Sequence, residues 1–278
     1  MDFLDKKILL LRKKIRLLGN ALVAYSGGVD STLVLKIAAD ELGEKCAAVT
    51  SVSASYPQYE LDSAKEIARG IGARHIFADT TEICDPGYVK NFSDRFYFCK
   101  KNLYGHMKEI AKQNGMTNLL NGANKDDEGD HRPGMIAADE FKVVSPLRDA
   151  GITKKEIVEI ARRLGLPNWN KPASPCLASR IPYGSKVTDR KLEMIEKAEF
   201  AIKNICNETG LRHLRVRHYG KEARIEVPKE NFKDILGNIE KIRTELVAAG
   251  FKNVTLDLEG FKSGKLNKGL NEGRKGTK

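Results

Sequence analysis

From the start of the chain to about residue 165, short apolar runs alternate with longer stretches whose apolar positions recur at helical spacing. NALVAYS, KCAAVTSV, ARHIFADT, MTNLLNGA and FKVVSPL are the short runs, each ending in turn-forming or polar residues. Between them, DSTLVLKIAADELG, ELDSAKEIARGIG and KKNLYGHMKEIAKQNG carry helical periodicity and close on Gly, a common helix C-terminal signal. This order predicts an α/β fold, a mostly parallel sheet with helices on both faces. Ligands in such sheets bind beyond the carboxyl ends of the strands.

After LGLPNWNKPASPCLASRIPYG the pattern changes. A helical run from Thr188 to about Ile205 leads into HLRVRHYGKEARIEVP, two alternating strands about a Gly-Lys turn. A helix near 229–249 and a last strand, NVTLDL, complete what reads as a small α+β domain with an antiparallel sheet. The expected organisation is a first domain over 1–165, a connector over 166–187, a second domain over 188–267 and a flexible basic tail over 268–278.

Composition narrows the class. Hydrophobic content of 41% and charged content of 31% describe an ordinary folded protein, and the net charge of +11 raises the prior for anionic partners such as nucleotides or RNA. Three of those charges belong to the Gly-rich tail. No stretch approaches the roughly 20 apolar residues that cross a bilayer. The opening FLDKKILLLRKKIRLLG interleaves Lys and Arg with Leu and Ile, so it reads as an amphipathic helix rather than a secretory signal. Five scattered cysteines with no CxxC pair do not make a disulfide framework, and the cytoplasm is the expected compartment.

The chemistry concentrates at SGGVDS, between a strand and a helix. There, backbone N–H groups and the positive end of the helix combine to bind phosphate. Gly27 and Gly28 let the backbone approach an anion, Ser26, Ser31 and Thr32 offer hydroxyls, and Asp30 can orient the loop or reach a Mg²⁺. A tight turn capped by Ser explains two glycines alone, but not the whole hexapeptide in this setting. The stretch is neither GxxxxGK[ST] nor GxGxxG.

SGGVDS resembles the PP-loop of the ATP pyrophosphatases, which include GMP synthetase, NAD synthetase and the tRNA thiolases. That resemblance implies a loop gripping the pyrophosphate of ATP while a substrate oxygen attacks the α-phosphate, giving an adenylated intermediate. DRFYFCKKNLY, NGANKDDEGDHRPG, NWNKPASPCLASRIPYG, RVRHYGKEARIEVP and VTLDLEGFKSGKLN further resemble, in order along nearly the whole chain, the ATP-dependent sacrificial sulfur transferases (LarE). The implied reaction adenylates a carboxylate of pyridinium-3,5-biscarboxylic acid mononucleotide and converts it to a thiocarboxylate, for the nickel-pincer cofactor of lactate racemase. ATP and Mg²⁺ are the implied cofactors.

The resemblance assigns residues. Cys176, in PASPCLASR and close in sequence to Arg180, is the implied sulfur donor, since a thiolate attacks an acyl adenylate readily and a nearby cation favours the thiolate. Lys100 matches a family lysine near the reacting groups. The implied substrate carries a phosphate and two carboxylates, which Arg215 and Arg217, two apart on one face of a strand, suit as a grip, with Ser179 and Arg180 presented from the connector; a solvated basic strand is the alternative. Glu199, Glu226 and Asp234 resemble acidic positions that gather a divalent metal, although ordinary surface carboxylates explain them better.

The cysteine pattern departs from both branches of the family. One branch gives up a single cysteine's sulfur and is left with dehydroalanine, and its donor aligns with Pro175. The other holds an iron–sulfur cluster with three cysteines and shows CxxC where this chain has Phe96 and Cys99. Two thiolates complement a cubane cluster poorly, so Cys176 is favoured as a sacrificial donor and a cluster recruiting Cys84 is disfavoured. Cys99 stays open between assisting, carrying a persulfide and having no role. Cys46 and Cys206 read as packing residues, and His106 and His131 lack a metal-site or triad spacing. The expected setting is a homo-oligomer acting on a small nucleotide, without membrane or nucleic-acid partner. tRNA thiolation suits the basic charge but lacks an RNA-binding module, and a non-catalytic nucleotide sensor needs no nucleophile.

Overall fold

The computed structural model describes residues 2–127 and 133–267. In chain order the elements are α1 (Phe3–Leu18), β1 (Ala21–Ala24), α2 (Val29–Leu42), β2 (Cys46–Val52), α3 (Gln58–Ile71), β3 (Arg74–Asp79), α4 (Pro86–Lys90), α5 (Arg95–Gln113) and β4 (Leu119–Leu120). There follow α6 (Pro133–Glu140), α7 (Pro146–Asp149), α8 (Lys154–Arg163), α9 (Asp189–Ile205), β5 (Arg215–Tyr219), β6 (Glu222–Glu226), α10 (Phe232–Gly237), α11 (Ile239–Ala248) and β7 (Asn253–Leu256). Two compact units divide the chain: one spans Met1–Glu82 and Phe96–Ser174, the other Ile83–Arg95 and Pro175–Lys278. The sequence pattern instead places the boundaries at 165 and 187 and residues 83–95 in the first domain. Among the described residues no helix is long and apolar enough to cross a membrane.

In the first unit four parallel strands run in the order β3-β2-β1-β4. β1, β4 and the Cys46–Val49 part of β2 are apolar throughout because both faces are covered there, whereas β3, at the edge of the sheet, is partly exposed and carries Arg74, His75 and Asp79. Ala21 and Val23 of β1, with Cys46 and Ala48 of β2, face a core built from Leu11 and Ile15 of α1, Leu33 and Ile37 of α2, Ala64 of α3 and Ile157 of α8. The alternate residues Leu22, Ala24, Ala47 and Val49 face a second core with Leu103 and Met107 of α5 and Ala137 of α6. Leu33 is fully buried, and truncating such a side chain to Ala costs about 2–5 kcal/mol. β1 lies between β2 and β4, so the chain leaves its carboxyl end toward β2 on one side and returns as β4 on the other. That switch point is where an open α/β sheet offers a crevice to a ligand.

The expected fifth strand, FKVVSPL, contributes a single bridge from Val144 to Leu120. Pro146 opens α7 two residues later, and proline cannot extend the ladder.

In the second unit α9 and α11 pack on a three-stranded sheet, with Ala198, Ile202, Val216, Ile225, Leu246 and Phe251 in its core. The expected hairpin is present, β5 antiparallel to β6, but β7 runs parallel to β6, so the sheet is mixed rather than antiparallel. A helical crossover lies between β6 and β7, and a crossover returns the chain in the same direction. The expected helix over 229–249 is broken at Asn238, whose side chain donates to the Asp234 carbonyl (2.9 Å). Asn91 (φ 57°) ties Ile83–Arg95 into this unit: its side-chain amide donates to the carbonyls of Pro182 and Ser185, each at 2.9 Å.

Candidate active site

The carboxyl end of β1 leads into the SGGVDS loop. Gly27 takes φ 64°, and a Cβ there would meet the Cβ of Ala64 at 3.0 Å, so only glycine fits. Gly28 precedes the first turn of α2, whose leading N–H groups lack intrahelical partners and form an anion site. The Ser31 hydroxyl accepts from the Ser26 N–H (3.2 Å) and donates to the Gly28 carbonyl (3.1 Å), which cross-links the loop to the helix. Thr32 is fully buried. Ser26, Gly27, Gly28, Asp30, Ser31 and Thr32 therefore form one continuous structure.

Residues remote in sequence complete this loop. The Asn168 amide donates to the Gly27 carbonyl and to Thr32 Oγ1, both at 2.9 Å, and the Tyr56 hydroxyl donates to the Ser26 carbonyl (2.8 Å). Gly122, just beyond β4, passes so close to α2 that a Cβ would lie 2.9 Å from the Ser31 nitrogen. Lys154 Nζ holds both carboxylate oxygens of Asp30, at 2.6 and 2.7 Å. Asp30 titrates above the usual carboxylate range because burial outweighs Lys154, with Asp127 adding to the rise. Near the ends of β2 and β3, the buried Glu82 accepts from the hydroxyls of Ser53 (2.6 Å) and Ser55 (2.9 Å). None of these partners belongs to the SGGVDS run.

Cys99 and Lys100 lie on α5 in the same unit. Cys99 is half-buried, and the stem of Lys100 runs beside Gly134, where a Cβ would come within 3.2 Å of its Cγ.

The second unit carries the cysteine segment. Cys176 is half-buried at the entrance to a short turn, Leu177–Arg180. Three guanidiniums hold the backbone carbonyls of this segment. Arg180 donates to the carbonyls of Pro175 and Cys176 (3.1 Å to the latter), Arg95 to that of Ala178 (2.8 Å) and Arg217 to that of Ser179 (2.8 Å). Arg180 also donates to the Ser179 hydroxyl (3.0 Å). All three arginines are buried.

Two of the carboxylates that resemble metal-gathering positions are counter-ions of these arginines. Glu199 pairs with Arg180 (2.8 Å) and Glu226 with Arg217 (2.9 Å), with all four side chains at most 2% exposed. They are buried rather than surface groups. Asp234 is elsewhere in the unit, accepting from the Asn231 amide (3.0 Å); burial, with a smaller push from the Asp234 charge, raises the Cys206 thiol pKa. Among the described residues no three His, Cys, Asp or Glu stand together as a metal site. Arg215 is different: buried, stacked on Phe261 at 4.6 Å, and without an ion pair of its own among the described residues. Burial, then the neighbouring charges of Arg217 and Arg180, pull its pKa down to about 10. Of Arg180, Arg215 and Arg217, two thus have a buried carboxylate partner and Arg215 does not.

Cys46 and Cys206 are buried, as their pattern predicts, and burial pushes the Cys46 thiol up to about 12. Cys84 is exposed. His131 and the basic tail lie outside the described residues.

No family model matches the chain. Full-length relatives do. An uncharacterized protein of Synechocystis sp. is 42% identical over 271 residues, 96% of this chain and 99% of its own length. The pyridinium-3,5-bisthiocarboxylic acid mononucleotide synthase of Lactiplantibacillus plantarum is 37% identical over 257 residues, 92% of this chain and 91% of that protein. The chain belongs to this synthase family, LarE. The LarE match spans residues of both units, so the PP-loop and the arginine-clamped cysteine segment fall within one family rather than marking a shared ATP-binding domain with an unrelated partner. At greater distance, a glutamine-hydrolyzing GMP synthase of Aspergillus oryzae is 24% identical over 248 residues, 75% of this chain and 45% of that protein. That relationship fits a PP-loop enzyme that uses ATP.

Proposed function

We propose that the protein adenylates a carboxylate of pyridinium-3,5-biscarboxylic acid mononucleotide and converts it to a thiocarboxylate with sulfur taken from Cys176. The observation that carries this reading is the second unit's arrangement. A half-buried thiol sits on a segment clamped by Arg95, Arg180 and Arg217, in the same arginine cluster as the unmatched cation Arg215. A substrate with a phosphate and two carboxylates supplies the missing negative charge. Family membership and the PP-loop supply the activation step.

The substrate carboxylate oxygen bonds to the α-phosphorus, and the α–β anhydride bond breaks with its electron pair on pyrophosphate. Ser26, Gly27, Gly28, Ser31 and Thr32 hold the phosphates. Asp30 would be the loop's ligand for the Mg²⁺ that accompanies ATP, a hard cation that keeps few protein ligands beside phosphate oxygens. AMP converts the carboxylate into an acyl group with a good leaving group, and the Cys176 thiolate displaces it to form a thioester. A base then removes the cysteine α-proton, and the Cβ–S bond breaks with its electrons on sulfur. The products are a thiocarboxylate and dehydroalanine at position 176. Arg215, Arg217, Arg180 and Ser179 position the substrate, and Lys100 balances charge at the activated phosphate. Cys99, in the first unit, is assigned no required step.

A cytoplasmic setting, where thiols stay reduced, suits this chemistry, and a homo-oligomer without nucleic acid is the expected form. The test is to incubate the protein with ATP, Mg²⁺ and the biscarboxylated mononucleotide. AMP, pyrophosphate and a thiocarboxylate are the expected products. ADP as the nucleotide product contradicts the reading, and AMP release only with tRNA transfers it to tRNA thiolation.

A further inference from the structure

The ion pair at the PP-loop has an unusual origin. Lys154 is the first residue of α8, whose start is fixed by a capping box between Thr153 and Glu156 and by the Lys154 N–H donating to Asp126 (2.8 Å). The first turn of a helix carries a partial positive charge and favours acidic side chains, so a lysine there does not serve the helix. Its ammonium instead reaches the phosphate-binding loop, where it holds both oxygens of Asp30 at 2.6 and 2.7 Å. The side chains of the pair are 45% and 30% exposed. An ion pair this open contributes about 0–1 kcal/mol, so an incoming polyanion can displace it.

Both members have a use once nucleotide is present. Asp30 is the loop carboxylate suited to the cation that accompanies ATP, and the ammonium competes with that cation for both of its oxygens. Lys154, once released, is a mobile cation beside a loop that binds phosphate. We propose that Lys154 is a catalytic residue that exchanges Asp30 for the β and γ phosphates of ATP and neutralises the charge that develops on pyrophosphate as the α–β bond breaks. Asp30 holds the ammonium at the loop until nucleotide arrives. This inference rests on the ATP-dependent reading above and adds a residue to it.

Calorimetry with ATP and Mg²⁺, calorimetry with pyrophosphate, and ligand-observed NMR with AMP test it on wild type, Lys154→Met and Lys154→Arg. Lys154→Met is expected to weaken ATP and pyrophosphate binding by about tenfold or more, with AMP binding within about twofold of wild type, and Lys154→Arg to regain most of the loss. The double variant Asp30→Asn/Lys154→Met separates a direct phosphate contact from relief of the Asp30 charge. Pyrophosphate binding that stays weak in the double variant supports contact, and recovery to the wild-type level overturns it. Equal binding by Lys154→Met and wild type, or an AMP loss as large as the pyrophosphate loss, also overturns the inference. A wild type that binds neither ATP nor pyrophosphate overturns the ATP reading itself.

Discussion

Arg180 and Glu199 form a two-pronged ion pair in the second unit: Nε lies 2.8 Å from Oε1 and Nη2 3.1 Å from Oε2, and Glu199 Oε1 also accepts the Val216 N–H at 3.0 Å. The remaining Arg180 nitrogen holds the Pro175 and Cys176 carbonyls. One carboxylate therefore fixes the guanidinium that fixes the cysteine segment. Removing half of a buried pair strands the other charge, at a cost of about 3–5 kcal/mol. Glu199→Gln is expected to lower unfolding stability by that amount in urea titrations and to speed alkylation of Cys176 at concentrations well below the midpoint. Unchanged stability with unchanged alkylation contradicts a clamping role.

Arg215 calls for the opposite outcome in stability. Its guanidinium is buried with Arg217 and Arg180 nearby and no ion pair of its own among the described residues. Arg215→Met removes that unmatched charge while retaining an apolar stem over Phe261. Stability is expected to stay level or rise by about 1 kcal/mol, while substrate affinity falls by about tenfold or more, the loss of a charge-assisted phosphate or carboxylate contact. A joint loss of stability and affinity points to a structural arginine instead. Paired denaturation and binding measurements on one preparation distinguish the two.

His75 makes the first unit sensitive to acid. Thr50 donates its hydroxyl proton to the Tyr25 carbonyl (2.7 Å), so the imidazole Nε2, also 2.7 Å from that hydroxyl, carries its own proton. Nδ1 is buried without a partner, and protonating it creates an N–H with no acceptor. Burial, with a smaller push from Lys65, lowers the pKa to about 4, against about 6.5 in an unfolded chain. Between those values the unfolded state binds more protons, so this contribution is intact above about pH 6.5 and declines as pH falls toward 4. Allowing for partial exposure, the loss is about 1–2 kcal/mol. His75→Gln is expected to flatten the difference in stability between pH 7 and 4.5 by that amount. A slope identical to wild type contradicts the assignment.

The legible parts of the fold were those written in consecutive residues. Buried on both faces, β1 and β2 read as continuous apolar runs, and Gly27, Gly28 and Ser31 announce an anion loop in a single hexapeptide. Asn168, Lys154 and Gly122 were not legible, because each comes from a different segment and reaches the loop only through the parallel sheet and its covering helices. The roles of Glu199 and Glu226 depend on their arginines, which lie 19 and 9 residues away along the chain, at no spacing that a single helix or strand would betray. The direction of β7 depends on the crossover before it, whereas the β5–β6 hairpin is visible in its turn.

The origin of the sulfur is the claim tested most directly by tandem mass spectrometry of the protein after one turnover with ATP, Mg²⁺ and the biscarboxylated mononucleotide. The predicted result is a loss of about 34 Da, the mass of H₂S, confined to the peptide carrying Cys176 and equal in amount to the thiocarboxylate formed. Thiocarboxylate formed while every cysteine keeps its mass contradicts it.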